Sequence, residues 1–357
     1  MRIIRRYLFR EIVGATLLTL LALLGLFAFF DLLNQLEDVG RGQYRMPAAF
    51  LYVLLTLPGH VYEVLPVAAL VGALFALARL TAQSEYAVLR TSGVSMLRLA
   101  GTLAQIGLLF AAVTFVFGEF IAPASEAAAQ RIRMRASAYL IVSQFRSGIW
   151  AKDGNSFINV GLVTPDNTLL NISVYDFDDA QRLLSTSFAK KGVYLGDNRW
   201  QLTEVARTRF AEGRSAVDQI PEMTWDSVLT PSLLSVLLLA PEEMAATDLL
   251  QYIDHLKSSR QQTTRYEAAL WSKLIYPFSV VLMMVLALPF AHFQSRVTSV
   301  GAKIFTGILV GLTFFLMGRF FSALGALNNW TPFVSAAVPT LLFTLIAAAM
   351  IWRAEQR

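Results

Sequence analysis

The segment IVGATLLTLLALLGLFAFF, residues 12–30, contains no charged side chain. An α-helix needs about 20 apolar residues to cross the hydrocarbon core of a bilayer. Arginines precede the segment, as in a signal peptide, but the apolar run is too long for one and ends in Asp31-Leu32-Leu33-Asn34, without the small residues of a cleavage site. We therefore expect this segment to remain in the protein as a membrane-spanning helix.

The whole composition is typical of an integral membrane protein. The 357 residues are 55% hydrophobic and 15% charged, and the mean hydropathy is +0.53. Such a chain has too little charge to cover a soluble surface. The sequence contains no cysteine, which excludes disulfides and thiolate metal sites. Nothing in the modest net charge of +5 indicates a nucleic-acid partner.

Five further runs are apolar and long enough to span a bilayer. They are Val61 to Ala78, Leu99 to Gly118, Leu274 to Ser295, Ile304 to Ser322 and Thr331 to Trp352. With the first run they predict six transmembrane helices, which place both termini on one side. The loops on that side are rich in arginine, whereas the opposite short loops contain only Arg41 and Arg45. Because positive loops stay inside, we expect both termini in the cytoplasm.

The long segment between the third and fourth spans has a different character. Residues 148–228 alternate apolar and polar side chains, and turn signals such as Asp153-Gly154 and Asp197-Asn198 recur among them. This pattern predicts an extracytoplasmic antiparallel β sandwich, with helical stalks on either side. The predicted domains are residues 1–124 with spans one to three, residues 125–265 outside the cytoplasm, and residues 266–357 with spans four to six.

The sequence shows no energy source or catalytic centre of its own. It lacks the phosphate-binding pattern GxxxxGK[ST] and the zinc-binding pattern HExxH. A secondary transporter usually carries ionisable residues at mid-membrane. The ionisable residues in or beside the spans lie toward one face, and they are Asp31, His60, Glu63, Glu119 and Arg319. We expect a non-catalytic subunit without a metal site, and keep secondary transport as an alternative.

The polar stretch QSEYAVLRTSGVS, about residues 83–95, interrupts the apolar second and third spans. On the predicted topology it is a cytoplasmic loop. Ser84 can cap a short helix, Glu85 favours its positive end, and Gly93 closes it. The helix carries an exposed apolar side, which predicts a protein partner; a helix lying on the lipid surface is the alternative. Since the chain has no energy source, we expect that partner to be an ATPase.

Several motifs make the chain resemble the LptF/LptG permease family of the lipopolysaccharide exporter, and its LptG branch most. The motifs are LNQLEDVGRGQY at 33–44, AQSEYAVLRTSGVS at 82–95, GEFIAP at 118–123, GIWAKDGNSF at 148–157 and LKSSRQQTTRYEAALWSK at 256–273. The resemblance extends from end to end, including the six spans and the position of the insertion.

The resemblance implies an LptF–LptG heterodimer above a dimer of the ATPase LptB, with a periplasmic β-jellyroll on each permease subunit. LptC is implied as a further partner, and lipopolysaccharide as the cargo, extracted from the outer leaflet of the bacterial inner membrane. ATP and magnesium would bind to the ATPase, so this chain needs no cofactor. The residues implied to dock in LptB are Ser84, Glu85, Tyr86, Leu89 and Arg90.

The resemblance also implies that the first and fifth spans line gates for lipopolysaccharide. Its lipid A part combines acyl chains with two phosphates, which fit an apolar cavity rimmed by cations. The candidate contacts are Arg41, Arg45, Arg131, Arg133, Arg135, Arg319, Phe27, Phe30, Phe314 and Phe315. For the arginines the alternative is anchoring at the membrane interface, and for the phenylalanines it is helix packing or contact with lipid.

The outer end of the first span departs from this expectation. Basic residues are expected there, but the chain has Asp31, Glu37 and Asp38, and carboxylates cannot bind phosphate directly. We expect arginines to bind the phosphates instead, and Asp31 to pair with a cation or a bridging divalent ion. Those arginines are Arg41, Arg45 and Arg319.

One alternative within ABC systems is a mechanotransmitting subunit, which shares the coupling helix and the outer domain but does not pass substrate through the membrane. Such subunits commonly have four spans, so the six apolar runs argue against this alternative. Another lipid-transport subunit of the same general design remains compatible with the sequence.

Overall fold

The computed structural model describes residues 2–40, 44–85, 88, 91–136, 148–164, 168–211, 214–227, 229–230, 240–258, 261–293, 300–328 and 330–356. Its α-helices are α1 (Arg2–Leu36), α2 (Met46–Ala82), α3 (Met96–Val116), α4 (Ala122–Ala136), α5 (Ala246–Ser258), α6 (Thr264–Phe293), α7 (Val300–Leu327) and α8 (Pro332–Glu355). Within the described residues, six helices are long and apolar enough to cross a membrane, namely α1, α2, α3, α6, α7 and α8. The predicted six spans are confirmed.

The second span begins much earlier than its apolar run indicated. The sequence pattern placed its start near Val61, but α2 begins at Met46. Pro47 lies in the first turn, where its missing N–H costs no helical hydrogen bond. Pro58 and His60 interrupt the apolar pattern without ending the helix. At 1.5 Å per residue, α2 is roughly 55 Å long and therefore extends past the hydrocarbon core.

Helix α2 is the centre of the bundle and packs against α1, α6 and α7. Glycines allow the close crossings, as is common where helices associate in membranes. A Cβ on Gly72 would lie 2.5 Å from Thr16 Cα of α1, and one on Gly311 of α7 would lie 2.8 Å from Val67 Cγ1. The crossing of α3 with α6 has the same character, because a Cβ on Gly107 would lie 2.8 Å from Val281 Cα.

The outer helices leave wide apolar faces uncovered. In α2, 72% of the most apolar window is buried within the chain, but the corresponding share is 22% in α1 and 17% in α7. Large exposed apolar side chains recur on α7 mostly three or four residues apart, and they include Phe305, Ile308, Leu309, Leu312, Leu316 and Phe320. In a membrane such faces are covered by lipid or by another helix.

The inserted domain is antiparallel β structure, as the sequence predicted. Its strands are β1 (Ile149–Asp153), β2 (Ser156–Val163), β3 (Leu169–Phe177), β4 (Leu183–Gly196), β5 (Arg199–Ala211) and β6 (Arg214–Asp226). Each strand pairs with the next along the chain. The described strands are therefore hydrogen-bonded as one sheet in meander order. Short hairpin turns explain this order; one is Asp197-Asn198, where both residues have positive φ.

One face of the sheet holds the apolar core of this domain. Ile158, Ile172, Trp200 and Leu202 are fully buried there. The indole Nε1 of Trp200 donates a hydrogen bond to the carbonyl oxygen of Leu229 at 2.7 Å, which fastens the chain beyond β6 onto the core. The domain thus has its own hydrophobic core, separate from that of the helical bundle.

Contacts between helix ends define two sides of the bundle. On the terminal side, where the described chain begins and ends, Arg79 Nη1 lies 3.3 Å from Glu11 Oε2, and Met96 N donates to Glu355 Oε2 at 3.1 Å. On the domain side, from which the sheet projects, α4 and α5 connect the bundle to β1 and β6.

We predict that Gly107→Ala destabilises the protein whereas Gly101→Ala in the same helix does not. The first Cβ would meet the backbone of α6, and overpacking of this kind costs about 1–3 kcal/mol. The second would enter open space, where alanine is the better helix former. Thermal unfolding in detergent measures the difference, and equal melting temperatures of the two variants would contradict the observed crossing.

Candidate functional site

A polar cluster lies between α1 and α2 on the domain side. Asp31 Oδ2 is 2.5 Å from His60 Nε2 and accepts a hydrogen bond from Thr56 Oγ1 at 3.5 Å. The ring of Phe27 stacks on the His60 imidazole with a centroid separation of 4.9 Å. Glu63 Oε2 is 3.9 Å from His60 Nδ1. In this structure the partner of Asp31 is therefore a histidine of the same chain.

The second acidic residue at this end, Asp38, is paired with Arg133 of α4. Arg133 Nη2 lies 3.2 Å from Asp38 Oδ2, and both side chains are largely buried. The guanidinium also lies over the Tyr52 ring, 6.0 Å from its centroid. Arg133 Nε is buried and has no hydrogen-bond partner among the described residues. The guanidinium thus has a donor to offer to a further acceptor.

Tyr44 completes the wall beside this ion pair. Its ring is fully buried, and its hydroxyl donates to Gln35 Oε1 at 2.8 Å. Burial raises the pKa of Tyr44, which keeps the hydroxyl neutral. The hydrogen bond fastens the loop after α1 to the last turn of that helix and so holds Asp38 close to Arg133.

The other predicted contact residues are spread over several helices. Arg45 and Arg131 are exposed, and Arg319 of α7 lies 4.9 Å from the centroid of the Phe315 ring. Phe30 is exposed, whereas Phe314 is buried and packs edge-to-face on Phe343 of α8 at 5.2 Å. Arg41 and the side chain of Arg135 lie outside the described residues. The structure therefore brings Arg133 and Phe27 to the end of the α1–α2 pair and places Arg319 on a different helix.

The polar stretch between the second and third spans contains a helical turn on the terminal side. Val88 N donates to Ser84 O at 3.2 Å, and Ser92 N donates to Val88 O at 3.0 Å, which is the α-helical spacing. Gly93 then adopts φ +83° and ends the helix. Ser84 has φ +60°, so it precedes the helix in a left-handed conformation instead of the extended one usual for a capping serine.

One contact from α1 reaches this short helix, and the start of α3 that follows it is capped separately. The Tyr7 hydroxyl of α1 lies close to the Glu85 carboxylate. At the start of α3, Arg98 N donates to Ser95 Oγ at 3.3 Å, beside the contact of Glu355 with Met96. Val88 is 61% exposed and is open to a partner. The predicted docking residues Tyr86, Leu89 and Arg90 lie outside the described residues.

Sequence reasoning missed the partners of several of these residues. It noted Asp31 and His60 separately but did not pair them, and it overlooked Glu355. One feature of the sequence could have predicted the pairing of Asp31 with His60. Both residues were expected at the outer ends of neighbouring spans. The described residues contain no group of three or more His, Cys, Asp or Glu side chains arranged to hold a metal.

Six spanning helices with a β domain inserted after the third define a multi-pass membrane protein of the permease type. The family model described as "Lipopolysaccharide export system permease LptF/LptG" matches residues 6–353. The chain belongs to this family, as the motifs of the sequence indicated.

Individual relatives show which branch of the family the chain resembles. It is 32% identical over 348 residues to the lipopolysaccharide export system permease protein LptG of Haemophilus influenzae, covering 97% of this chain and 96% of the relative. It is 31% identical over 353 residues to the LptG protein of Escherichia coli strain K12, covering 98% of each chain. The predicted resemblance to LptG is confirmed, and it supports a place in the inner membrane.

We predict that Asp31→Ala lowers the stability of the protein by about 1–3 kcal/mol, because it leaves the half-buried His60 imidazole without its acceptor. Glu37→Ala is the matched control, since Glu37 is an exposed carboxylate close by in the sequence and exposed substitutions change stability by about 0.5 kcal/mol or less. Thermal unfolding of both variants in detergent tests this, and the prediction is wrong if they melt together.

Proposed function

We propose that this chain is an LptG-type permease subunit that extracts lipopolysaccharide from the outer leaflet of the inner membrane and passes it to a periplasmic bridge. Both termini then lie in the cytoplasm and the β domain lies in the periplasm. An LptF-like permease, a dimer of an LptB-like ATPase and an LptC-like membrane-anchored protein are its partners. The observation that carries the proposal is Arg133, a largely buried cation beside the loop after α1, whose Nε has no hydrogen-bond partner among the described residues.

The phosphates of lipid A bind at Arg133 by exchange with Asp38. A phosphate carries more charge than a carboxylate and accepts charge-assisted hydrogen bonds from the guanidinium fork. Arg133 Nε has no partner among the described residues, so a phosphate can engage a donor that Asp38 does not use. The same charge repels Asp38, which moves away with the loop that follows α1. Arg41, Arg45, Arg131, Arg135 and Arg319 supply further positive charge around the headgroup.

The acyl chains follow the open faces of α1 and α7. Exposing several chains to water would cost about 0.8 kcal/mol per CH₂ group, which adds up to tens of kcal/mol for one lipid A, so the path must stay apolar. Phe30 of α1 and Phe320 of α7 are among the exposed side chains on these faces. A second permease subunit facing them closes the path into a cavity.

Force reaches the bundle through the helix that contains Glu85. This helix joins α2 to α3 directly, and the Tyr7 contact also links it to α1. An LptB-like ATPase that grips Glu85 and the exposed Val88 therefore moves the helix that forms the centre of the bundle. ATP and magnesium stay on the ATPase, and this chain carries no cofactor and no catalytic residue.

We predict that Asp38→Asn strengthens the binding of lipopolysaccharide about fivefold, because an internal carboxylate no longer competes for Arg133. Arg133→Gln should weaken binding about tenfold, since a charge-assisted hydrogen bond is lost. Equilibrium binding to the protein in nanodiscs measures both changes.

A dephosphorylated form of the same lipopolysaccharide is the matched control, and both variants should bind it as the unaltered chain does. Equal binding of the phosphorylated form by Asp38→Asn, Arg133→Gln and the unaltered chain would remove Arg133 from the proposed site.

We predict that Glu85→Lys abolishes co-purification of the LptB-like ATPase with this chain. The substitution reverses the charge at the start of the short helix, which changes both its dipole interaction and its fit to a partner groove. Gln356→Lys is the control, since it adds a positive charge at an exposed position on the same side. Unchanged recovery of the ATPase with Glu85→Lys would place its docking surface elsewhere.

A further inference from the structure

The third span and the helix that returns from the β domain meet at a joint on the domain side. At the end of α3 the chain forms a π-helical turn, Phe117–Ile121, before α4 begins. Turns of this kind are rare and frequently occur at functional positions. The turn carries Glu119, an acidic residue that neither the apolar path nor the headgroup site uses.

Glu119 binds the first turn of α5, which follows the β domain. Its Oε2 accepts a hydrogen bond from Ala246 N at 2.9 Å, and its Oε1 accepts one from Thr247 N at 3.3 Å. The first N–H groups of a helix have no partners within the helix, and a carboxylate also interacts favourably with the positive end of the helix dipole. Glu119 therefore caps α5 from a distance of 127 residues along the chain.

The side chain of Lys273 contacts the same segment from the other side. Its Nζ donates to the carbonyl oxygen of Met244, two residues before Ala246, and it lies in α6, the helix that α5 leads into. The Met244 side chain is fully buried and packs with Leu249 and Ala269. The start of α5 is thus clamped between α3 and α6 by polar contacts over an apolar base.

Close packing holds the π-helical turn that positions the Glu119 side chain. A Cβ on Gly118 would lie 2.5 Å from Cε2 of Tyr62 in α2, so only glycine fits there. The Tyr62 ring packs against Tyr276 of α6 at a centroid distance of 4.8 Å, and the Tyr276 hydroxyl donates to the carbonyl oxygen of Glu63 at 2.5 Å. The joint is therefore anchored on α2, α3 and α6 together.

We propose that Glu119 is a positioning residue that locks the base of the β domain onto α3 and α6. The outgoing stalk α4 leaves the joint toward the sheet, and α5 returns to it, so the contact at Glu119 closes the chain into a loop that contains the whole domain. Motion of α3 then turns the β domain as one body with the bundle. The consequence for transport rests on the proposed function, but the joint itself does not.

The joint can be tested by spin labelling, because the chain has no native cysteine. Labels on Leu108→Cys in α3 and Val217→Cys in β6, both exposed positions, report the distance between bundle and domain by electron–electron resonance. We expect one narrow distance distribution in the full-length chain. Glu119→Ala should raise the population of other distances about fivefold, the effect of removing a helix cap.

Two further variants separate a helix cap from a simple ion pair. Glu119→Gln should broaden the distribution less than alanine, because the amide oxygen can still accept one hydrogen bond. Exchanging the charges, Glu119→Lys with Lys273→Glu, should broaden the distance distribution, because a lysine cannot accept a hydrogen bond from Ala246 N. Glu242→Gln is the control: this exposed carboxylate lies 3.9 Å from the exposed Arg265 and should leave the distribution narrow.

A narrow distribution in Glu119→Ala would overturn the proposal, and a narrow one in the charge exchange would show an ion pair in place of the cap. In the reconstituted complex, Glu119→Ala should keep ATP hydrolysis but release about fivefold less lipopolysaccharide per ATP. This loss matches the expected rise in the population of other bundle–domain distances. Failure of the unaltered complex to release lipopolysaccharide would refute the proposed function and leave the spin-label result standing.

Discussion

The bilayer constrains this structure through the backbone, because every main-chain polar group in the hydrocarbon must find its partner within a helix. Helices then associate by close packing, and α2 contacts α1, α6 and α7 across small residues such as Gly72 and Gly311. Its two ends reach the two sides of the molecule: Thr56 and His60 meet Asp31 near one end, and the short helix containing Glu85 follows the other. A displacement of α2 therefore moves the groups at both of its ends.

Charges near the membrane are tolerated here because they are paired inside the chain. Asp31 is matched by His60 and Asp38 by Arg133, as is usual for ionisable groups at membrane depth. The two pairs differ in whether a hydrogen-bond donor remains for a further partner. Asp31 is held by a stacked imidazole between two packed helices, whereas Asp38 lies on a connecting loop and faces a guanidinium with a spare donor. This difference supports the proposed exchange with a phosphate at Arg133.

The sequence allowed prediction of those features that depend on local pattern. Spans follow from apolar length, strands from alternation, and the end of the short helix from Gly93, whose φ is +83°. Features set by contacts distant along the chain were not predictable. The extension of α2 to Met46 was missed for another reason, because Pro58-Gly59-His60 interrupts the apolar pattern without ending the helix. The contact of Glu119 with Ala246 and that of Glu355 with Met96 join residues 127 and 259 positions apart, and neither leaves a periodic signal.

In the proposed function this chain transmits force and generates none. Reconstitution in liposomes that contain lipopolysaccharide tests it directly, by measuring transfer to a soluble acceptor. We expect transfer only when the permease partner and an ATP-hydrolysing LptB-like ATPase are both present, and none with a non-hydrolysable nucleotide. Transfer by this chain alone, driven by an ion gradient, would contradict it.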